Sequence, residues 1–288
     1  MRDAFLLLRP QEWMKNLLVF FPLFFALQIF NFPVLAKAGW AFFIFCALAS
    51  GIYIFNDSFD VDADRVHPRK KMRALPAGRI SMKKALSICA ALLAAGLTGA
   101  WFISYGMFFC SLIYIGLNVA YTIKLKHVPI IDIVLIALGF VLRIIAGGIA
   151  TEIRLSPWII IMTFLLSLFL ALGKRRDDVV MLLQNGEGVR KSVNGYNLAF
   201  VDSCLKGMAV IVVVSYLIFT MSSATITKFG TDHLYLTTIF VIPGIIRYMH
   251  LIIAEQQPGD PSDILMQDHI IQISVTGWIV MFGLLVYF

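Results

Sequence analysis

Long apolar stretches alternate with short polar ones along the whole chain. Nine of them, at about 17–34, 38–57, 84–104, 107–123, 131–150, 157–174, 204–224, 234–254 and 269–288, approach or exceed the ~18–20 residues a helix needs to cross a bilayer. The pattern predicts an all-α protein, a polytopic membrane bundle of nine transmembrane helices. No linker or shift in composition marks a second domain, so residues 1–288 are expected to form a single integral-membrane domain. The first stretch follows Arg9, Trp13 and Lys15 and lacks a small-residue cleavage site, so it is expected to be a retained helix. There is a faint internal echo: the second stretch ends in Asn56-Asp57, and four helices later the sixth ends in Gly173-Lys174-Arg175-Arg176-Asp177-Asp178. A duplicated four-helix unit would produce it.

Composition agrees with this pattern, at 60% hydrophobic and 14% charged residues. The net charge of +7 raises the question of nucleic acid, but the placement of the charges answers it. Nineteen of the 24 Lys and Arg residues fall before the first stretch or around the connections after the second, fourth and sixth. By the positive-inside rule those segments are cytoplasmic, the amino terminus included, and the carboxyl terminus lies outside. The expected setting is therefore a membrane with those segments on its cytoplasmic side, with no nucleic-acid partner. The four cysteines (Cys46, Cys89, Cys110, Cys204) sit apart within apolar stretches, as small core residues do, without disulfide or metal-ligand spacing.

The chemistry is densest at Asn56-Asp57-Ser58-Phe59-Asp60-Val61-Asp62-Ala63-Asp64, where the second stretch meets a basic segment. On a continuing helix, Asp57, Asp60 and Asp64 share one face at i, i+3 and i+7, with Asn56 one turn before Asp60, while Asp62 points elsewhere. Three stacked carboxylates repel one another unless a cation sits among them. Hard oxygen ligands of this kind suit Mg²⁺, which completes its shell from water and substrate phosphates. The cations that follow, including Arg65, Arg69, Lys70, Lys71 and Arg73, suit a diphosphate held by Mg²⁺ on one side and by Lys or Arg on the other. Most of that run also reads as ordinary positive-inside charge or as contacts to anionic lipid.

Three more clusters gather on the same inferred face. Tyr121, Lys124, Lys126, His127 and Asp132 surround a short connection, with Lys124 and Lys126 placed to hold phosphate and His127 read as a loop residue. Asp132 either caps the next helix or joins the metal site. The Lys174-Arg175-Arg176 run, followed by Arg190 and Lys191, exceeds what snorkelling anchors need. Arg9, Lys15 and Asn16 precede the first stretch at headgroup level, beside Trp13, an interfacial anchor in any membrane protein. Arg143 stands apart, eleven residues after Asp132 and about 16 Å deeper on the same helix face. An intramembrane arginine marks a functional site by default, aimed here at a charged group of a substrate or at a buried carbonyl. Arg247 raises the same question.

Asn56-Asp57-x-x-Asp60-x-x-x-Asp64 at the end of the second of nine helices resembles the first aspartate motif of the UbiA-type intramembrane prenyltransferases. Members of that superfamily carry a second Asp-x-x-x-Asp motif after helix six; here that position reads Gly173-Lys174-Arg175-Arg176-Asp177-Asp178. With Arg9-Pro10-x-x-Trp13-x-Lys15-Asn16, Lys124-x-Lys126-His127-x-Pro129 and Gly139-Phe140-x-Leu142-Arg143-x-x-Ala146-Gly147-Gly148, the chain is similar to the decaprenyl-phosphate phosphoribosyltransferase branch.

The resemblance implies an enzyme that moves 5-phosphoribosyl from phosphoribosyl pyrophosphate to a polyprenyl phosphate with Mg²⁺ as cofactor. It implies catalytic and metal roles for Asp57, Asp60 and Asp64, with Asn56 orienting the site. Donor phosphates fall to Arg69, Lys70, Tyr121, Lys124, Lys126, Lys174, Arg175, Arg176, Arg190 and Lys191, and the acceptor to Arg9, Lys15, Asn16 and Arg143. An acceptor phosphate is already anionic, so no catalytic histidine is implied. The actinobacterial members of the branch supply cell-envelope polymers, so the resemblance implies the inner (plasma) membrane of a bacterium as the setting. The alternatives are an ordinary prenyltransferase acting on an aromatic or glycerol-type acceptor, and a transporter or lipid-binding scaffold. A transporter would want ionisable groups at mid-membrane on several helices, where only Arg143 and Arg247 qualify. The sequence leaves room for a homo-oligomer.

Overall fold

The computed structural model describes residues 2–66, 70–185, 196–255 and 261–287, and all regular structure among them is helical. The chain divides into two compact units, Met1–Ile160 and Ile161–Phe288.

The first unit contains α1 (Arg2–Leu7), α2 (Phe21–Phe25), α3 (Phe32–Phe59), α4 (Val61–Val66), α5 (Met82–Ile103), α6 (Tyr105–Ile123), α7 (Ile131–Thr151) and the start of α8 (Pro157–Asn185). Sequence chemistry sets several of the ends. Ser81 caps α5 by accepting the Lys84 amide at 3.4 Å. Ser104 stops α5 in an extended conformation and, by accepting the Met107 amide at 3.1 Å, starts α6. One serine therefore makes a tight corner between two spans.

The interior helices are α3 and α7, while α5 and α6 cover them and present apolar faces outward. Their shared core joins Phe45, Leu48 and Ile52 of α3 to Met107, Cys110 and Tyr114 of α6 and to Ala146 and Ala150 of α7. Residues such as Phe43, Phe102, Phe109 and Ile113 remain exposed, as a lipid-facing surface requires.

The expected span over 17–34 takes another form. Pro10–Phe20 is a 3-10 helix, continued by α2, before the chain turns into α3 at Phe32. At ~2.0 Å per 3-10 residue and 1.5 Å per α residue, these sixteen residues reach about 30 Å, the thickness of the hydrocarbon core. Among the described residues, eight other helices are long and apolar enough to cross a membrane.

The second unit holds most of α8, then α9 (Leu198–Met221), α10 (Ser223–Phe229), α11 (Thr238–Ile253), α12 (Pro261–Gln267) and α13 (His269–Tyr287). The sixth span, expected to end at residue 174, continues to Asn185, one residue before Gly186. Val179, Val180, Met181 and Leu182 extend the apolar pattern, and Met181 and Leu182 favour helix. The run Lys174 to Asp178 thus lies on a helix and not in a loop.

Several polar groups buried in this unit are paired. Trp278 Nε1 donates to the Tyr216 hydroxyl at 2.6 Å, which shares a hydrogen bond with Thr237 Oγ1 at 2.6 Å. Arg247 is bound to Asp268 at 2.9 Å and to Glu255 at 2.8 Å, so it clamps α11 to the chain that precedes α13. Of the eight qualifying helices, four fall in each unit if α8 is counted where most of it lies. That division matches the length of the repeat suggested by the sequence echo. With eight apolar membrane-length helices, the chain is an integral membrane protein.

Candidate active site

The acidic face forms where α3 ends. Asp60 leaves the helical region at φ −97°, ψ 9°, yet its amide still reaches the Asn56 carbonyl at 2.9 Å and the Asp64 amide reaches the Asp60 carbonyl at 2.8 Å. The helix therefore breaks without losing its hydrogen-bond register, and α4 carries Asp64 round to the face of Asp57. Asp57 and Asp64 are buried and Asp60 is partly exposed. Asn56 Oδ1 accepts from Thr122 Oγ1 of α6 at 3.3 Å.

Each carboxylate is met by a cation from a different segment. Arg9 pairs with Asp57. Arg73 donates to Asp57 at 3.0 Å and to Asp64 at 2.9 Å, bridging the two. Lys126, itself buried, pairs with Asp60 and lies 5.5 Å from the centre of the Phe59 ring. Burial, and next the like charge of Arg9, hold the Arg73 guanidinium below its usual range, against the opposing pull of Asp57 and Asp64.

One apolar cluster delivers two of these cations. Leu7 of α1 and Ala74, Leu75 and Ile80 of the loop pack with Ile54 of α3 and with Ala85 and Cys89 of α5. That packing places Arg9, two residues after Leu7, and Arg73, one before Ala74, over Asp57. Arg79 bonds Asp3 at 3.0 Å and ties loop to amino terminus. Ser50 donates to the Leu8 carbonyl at 2.7 Å and accepts from Trp13 Nε1 at 3.0 Å, so Trp13 is a specific contact of α3. Arg9 holds a left-handed conformation at φ 52°, and Ile130, just past Lys126, has φ 70°. Strain of this kind persists where surrounding contacts over-determine it.

The other candidates are placed as follows. Lys15 pairs with Glu12 at 2.6 Å. Tyr121 is half-buried and Lys124 exposed at the end of α6. Asp132 is buried in the first turn of α7, where its Oδ1 accepts the Ile133 amide at 2.9 Å, and the N-cap position is held by Ile130 without a side-chain cap. Arg175 is buried and donates to Asp178 at 2.6 Å. Arg176 donates to Asp202 of α9 at 2.6 Å and to the Ile252 carbonyl of α11 at 2.7 Å, a brace among three helices, while Lys174 is half-buried. Arg69, Arg190 and Lys191 lie outside the described residues, as does the side chain of Lys70. Arg73 stood in the basic run with no spacing to single it out, since loop residues carry no helical period.

Arg143 and Asn16, both expected at the acceptor, bind each other. Arg143 donates Nε–H to Asn16 Oδ1 at 2.7 Å, one terminal nitrogen to the Gly139 carbonyl at 2.7 Å and the other to the Tyr114 hydroxyl at 2.9 Å. Its guanidinium also stacks 5.1 Å from the Tyr114 ring centre. Asn16 donates in turn to Cys46 Sγ at 3.3 Å. The cluster braces the 3-10 segment against α3, α6 and α7. Asn16→Leu is expected to cost about 1–3 kcal/mol, because it strands a buried charged donor. A lower unfolding midpoint in detergent would show this, whereas unchanged stability with a raised acceptor KM would return Asn16 to a ligand role.

The oxygen-only donor set of Asp57, Asp60, Asp64 and Asn56 has the chemistry a hard divalent cation requires. Among the described residues, no three acidic, His or Cys side chains converge on one point. Here each carboxylate is turned toward a cation of the protein instead.

Apolar helices of membrane length, with a cluster of paired carboxylates and cations at the end of one span, define the chain as an intramembrane protein with an ionic candidate site. Its fold is that of a UbiA homolog from Archaeoglobus fulgidus solved with GPP and Mg²⁺, at a TM-score of 0.73 and 20% identity over 99% of this chain and 100% of that one. The UbiA prenyltransferase family matches residues 17–271, and the chain belongs to that family. It is similar to the decaprenyl-phosphate phosphoribosyltransferase of Mycolicibacterium smegmatis, 33% identical over 97% of this chain and 91% of the relative. The Mycobacterium tuberculosis protein of the same name is 31% identical over 98% and 93%.

Proposed function

We propose that the protein is a Mg²⁺-dependent polyprenyl-phosphate phosphoribosyltransferase, taking 5-phosphoribosyl from phosphoribosyl pyrophosphate. The observation that carries this reading is the acidic stack at the end of α3, met by Arg9, Arg73 and Lys126 from three separate segments. Carboxylates and cations interleaved in this way suit a polyanion bound together with a divalent cation. The near full-length similarity to phosphoribosyltransferases supports the choice of group transferred.

Asp57, Asp60 and Asp64, with Asn56, would hold Mg²⁺, which when bound neutralises charge on the pyrophosphate leaving group. Lys124 and Lys126 face the pyrophosphate. Lys15, held by Glu12, faces the acceptor phosphate, whose oxygen attacks the ribose C1 as pyrophosphate departs. The carboxylates favour the positive charge that develops on the ribose ring. The acceptor arrives ionised, so no side chain need take its proton. Lys174 and Arg175 are assigned to the 5-phosphate on sequence grounds alone. The concentration of Lys and Arg near this end of the spans makes a cytoplasmic site part of the proposal.

The test is a transfer assay on purified protein with labelled phosphoribosyl pyrophosphate, a polyprenyl phosphate and Mg²⁺, with and without chelator. Label is expected in the lipid phase only when Mg²⁺ is present. No transfer, together with consumption of a prenyl diphosphate and an aromatic acceptor, would place the protein among the ordinary prenyltransferases instead.

A further inference from the structure

We infer that Arg9, Arg73 and Lys126 are exchangeable counter-ions, paired with Asp57, Asp64 and Asp60 while the site is unliganded and transferred to the donor's pyrophosphate when metal and donor bind together. The inference rests on the functional reading above and adds a property to it: divalent cation and pyrophosphate each raise the other's affinity through these three side chains.

The argument begins with charge. Among the described residues, three carboxylates stand against three cations, so these paired charges formally cancel. Asp57, Asp64 and Lys126 are buried, where an unpaired charge is costly. A divalent cation entering alone must displace the side chains already on its ligands, leaving those cations unpaired beside its own charge. Pyrophosphate entering alone can attract the cations but strips the carboxylates of their partners and brings more negative charge beside them. Both entering together solve both problems. The carboxylates turn to the metal and the guanidinium and ammonium groups turn to the phosphate oxygens, with no buried charge left unmatched.

The geometry favours the exchange. Each cation reaches the acids from outside α3 and α4: Arg9 from just before the 3-10 segment, Arg73 from the loop before α5, Lys126 from the connection between α6 and α7. Each can therefore swing from carboxylate to phosphate while the helix bearing the acids keeps its place. Arg73 matters most, because it bridges Asp57 and Asp64 and so occupies both. A guanidinium can make the same two-pronged contact with phosphate oxygens.

Linkage makes the coupling reciprocal, and for two ligands of one site a factor of roughly 5–150 is ordinary. The inference has a signature that a structural role for Arg73 lacks, since removing an internal competitor affects the two ligands in opposite directions. In Arg73→Gln, Mn²⁺ alone, followed by loss of its free electron paramagnetic resonance signal, is expected to bind about tenfold more tightly than to the unaltered protein. Pyrophosphate titrated calorimetrically at saturating Mg²⁺ is expected to bind about tenfold more weakly. Complexes formed in solution are common to both proteins and cancel in the comparison. Lys126→Met gives an independent reading if Arg73→Gln does not fold, with the same pair of opposite shifts expected. Weakening of both ligands, or no change in either, would overturn the exchange while leaving the metal site standing. Absence of metal binding in every protein, with pyrophosphate present or not, would overturn the exchange and the functional reading together.

Discussion

Asp60→Asn and Asp64→Asn are each expected to lower phosphoribosyl transfer on the order of 10³-fold, with the protein still folded. The size follows from what the carboxylates do: they hold the charge that stabilises a departing pyrophosphate, and removing one electrostatic group of a preorganised site typically costs 10²–10³-fold. Asparagine retains an oxygen that Lys126 or Arg73 can donate to, so their hydrogen bonds survive although the opposite charge is lost. Alanine would mix loss of chemistry with loss of stability, most of all at Asp57, where two arginines meet one carboxylate. Turnover numbers and thermal unfolding midpoints on the same preparations separate the two effects. Turnover within tenfold of the unaltered enzyme in both variants would remove the acids from the catalytic site.

The second large effect is expected at Gly147, one turn beyond Arg143 on α7. A Cβ added there would stand 2.9 Å from the Val19 carbonyl carbon and closer still to its oxygen, so the clash is with backbone. Overpacking usually costs about 1–3 kcal/mol, and here no side chain can rotate away, so Gly147→Ala should reach at least the upper end of that range. The displaced element would be the 3-10 segment, whose first two turns carry Glu12 and Lys15 and which follows Arg9 directly. Stability and transfer should therefore fall together. Two substitutions calibrate the result. At Gly148 the nearest atoms belong to the Leu155 side chain, which can shift, so alanine there should be milder. At Gly39 nothing lies within 4 Å, and alanine should be neutral or slightly stabilising. Equal behaviour of the three variants would show that the 3-10 segment does not sit against α7 as described.

These cases show where sequence reading stops. The sequence by itself determined that the chain is helical and membrane-spanning, because burying a backbone in lipid demands long apolar runs and leaves few alternatives. It also determined the stacking of Asp57, Asp60 and Asp64, because the helical repeat fixes which residues share a face even across the break at Asp60.

The partners of those residues were decided by the tertiary structure. Arg73 meets Asp57 and Asp64 because Ala74 and Leu75 pack into an apolar cluster between α3 and α5, and a loop has no period from which such packing can be read. Arg9 and Asn16, seven residues apart, part company for the same reason. Arg9 is turned onto the acids, while Asn16 is drawn into the core by Arg143, 127 residues away in the chain. Lys126 shows the same division, since its charge was plain in the sequence and its burial against Asp60 was not. Periodicity is a local property of a helix and survives in one dimension. Pairing between distant charges depends on which apolar surfaces pack around them, and that is settled only when the chain has folded.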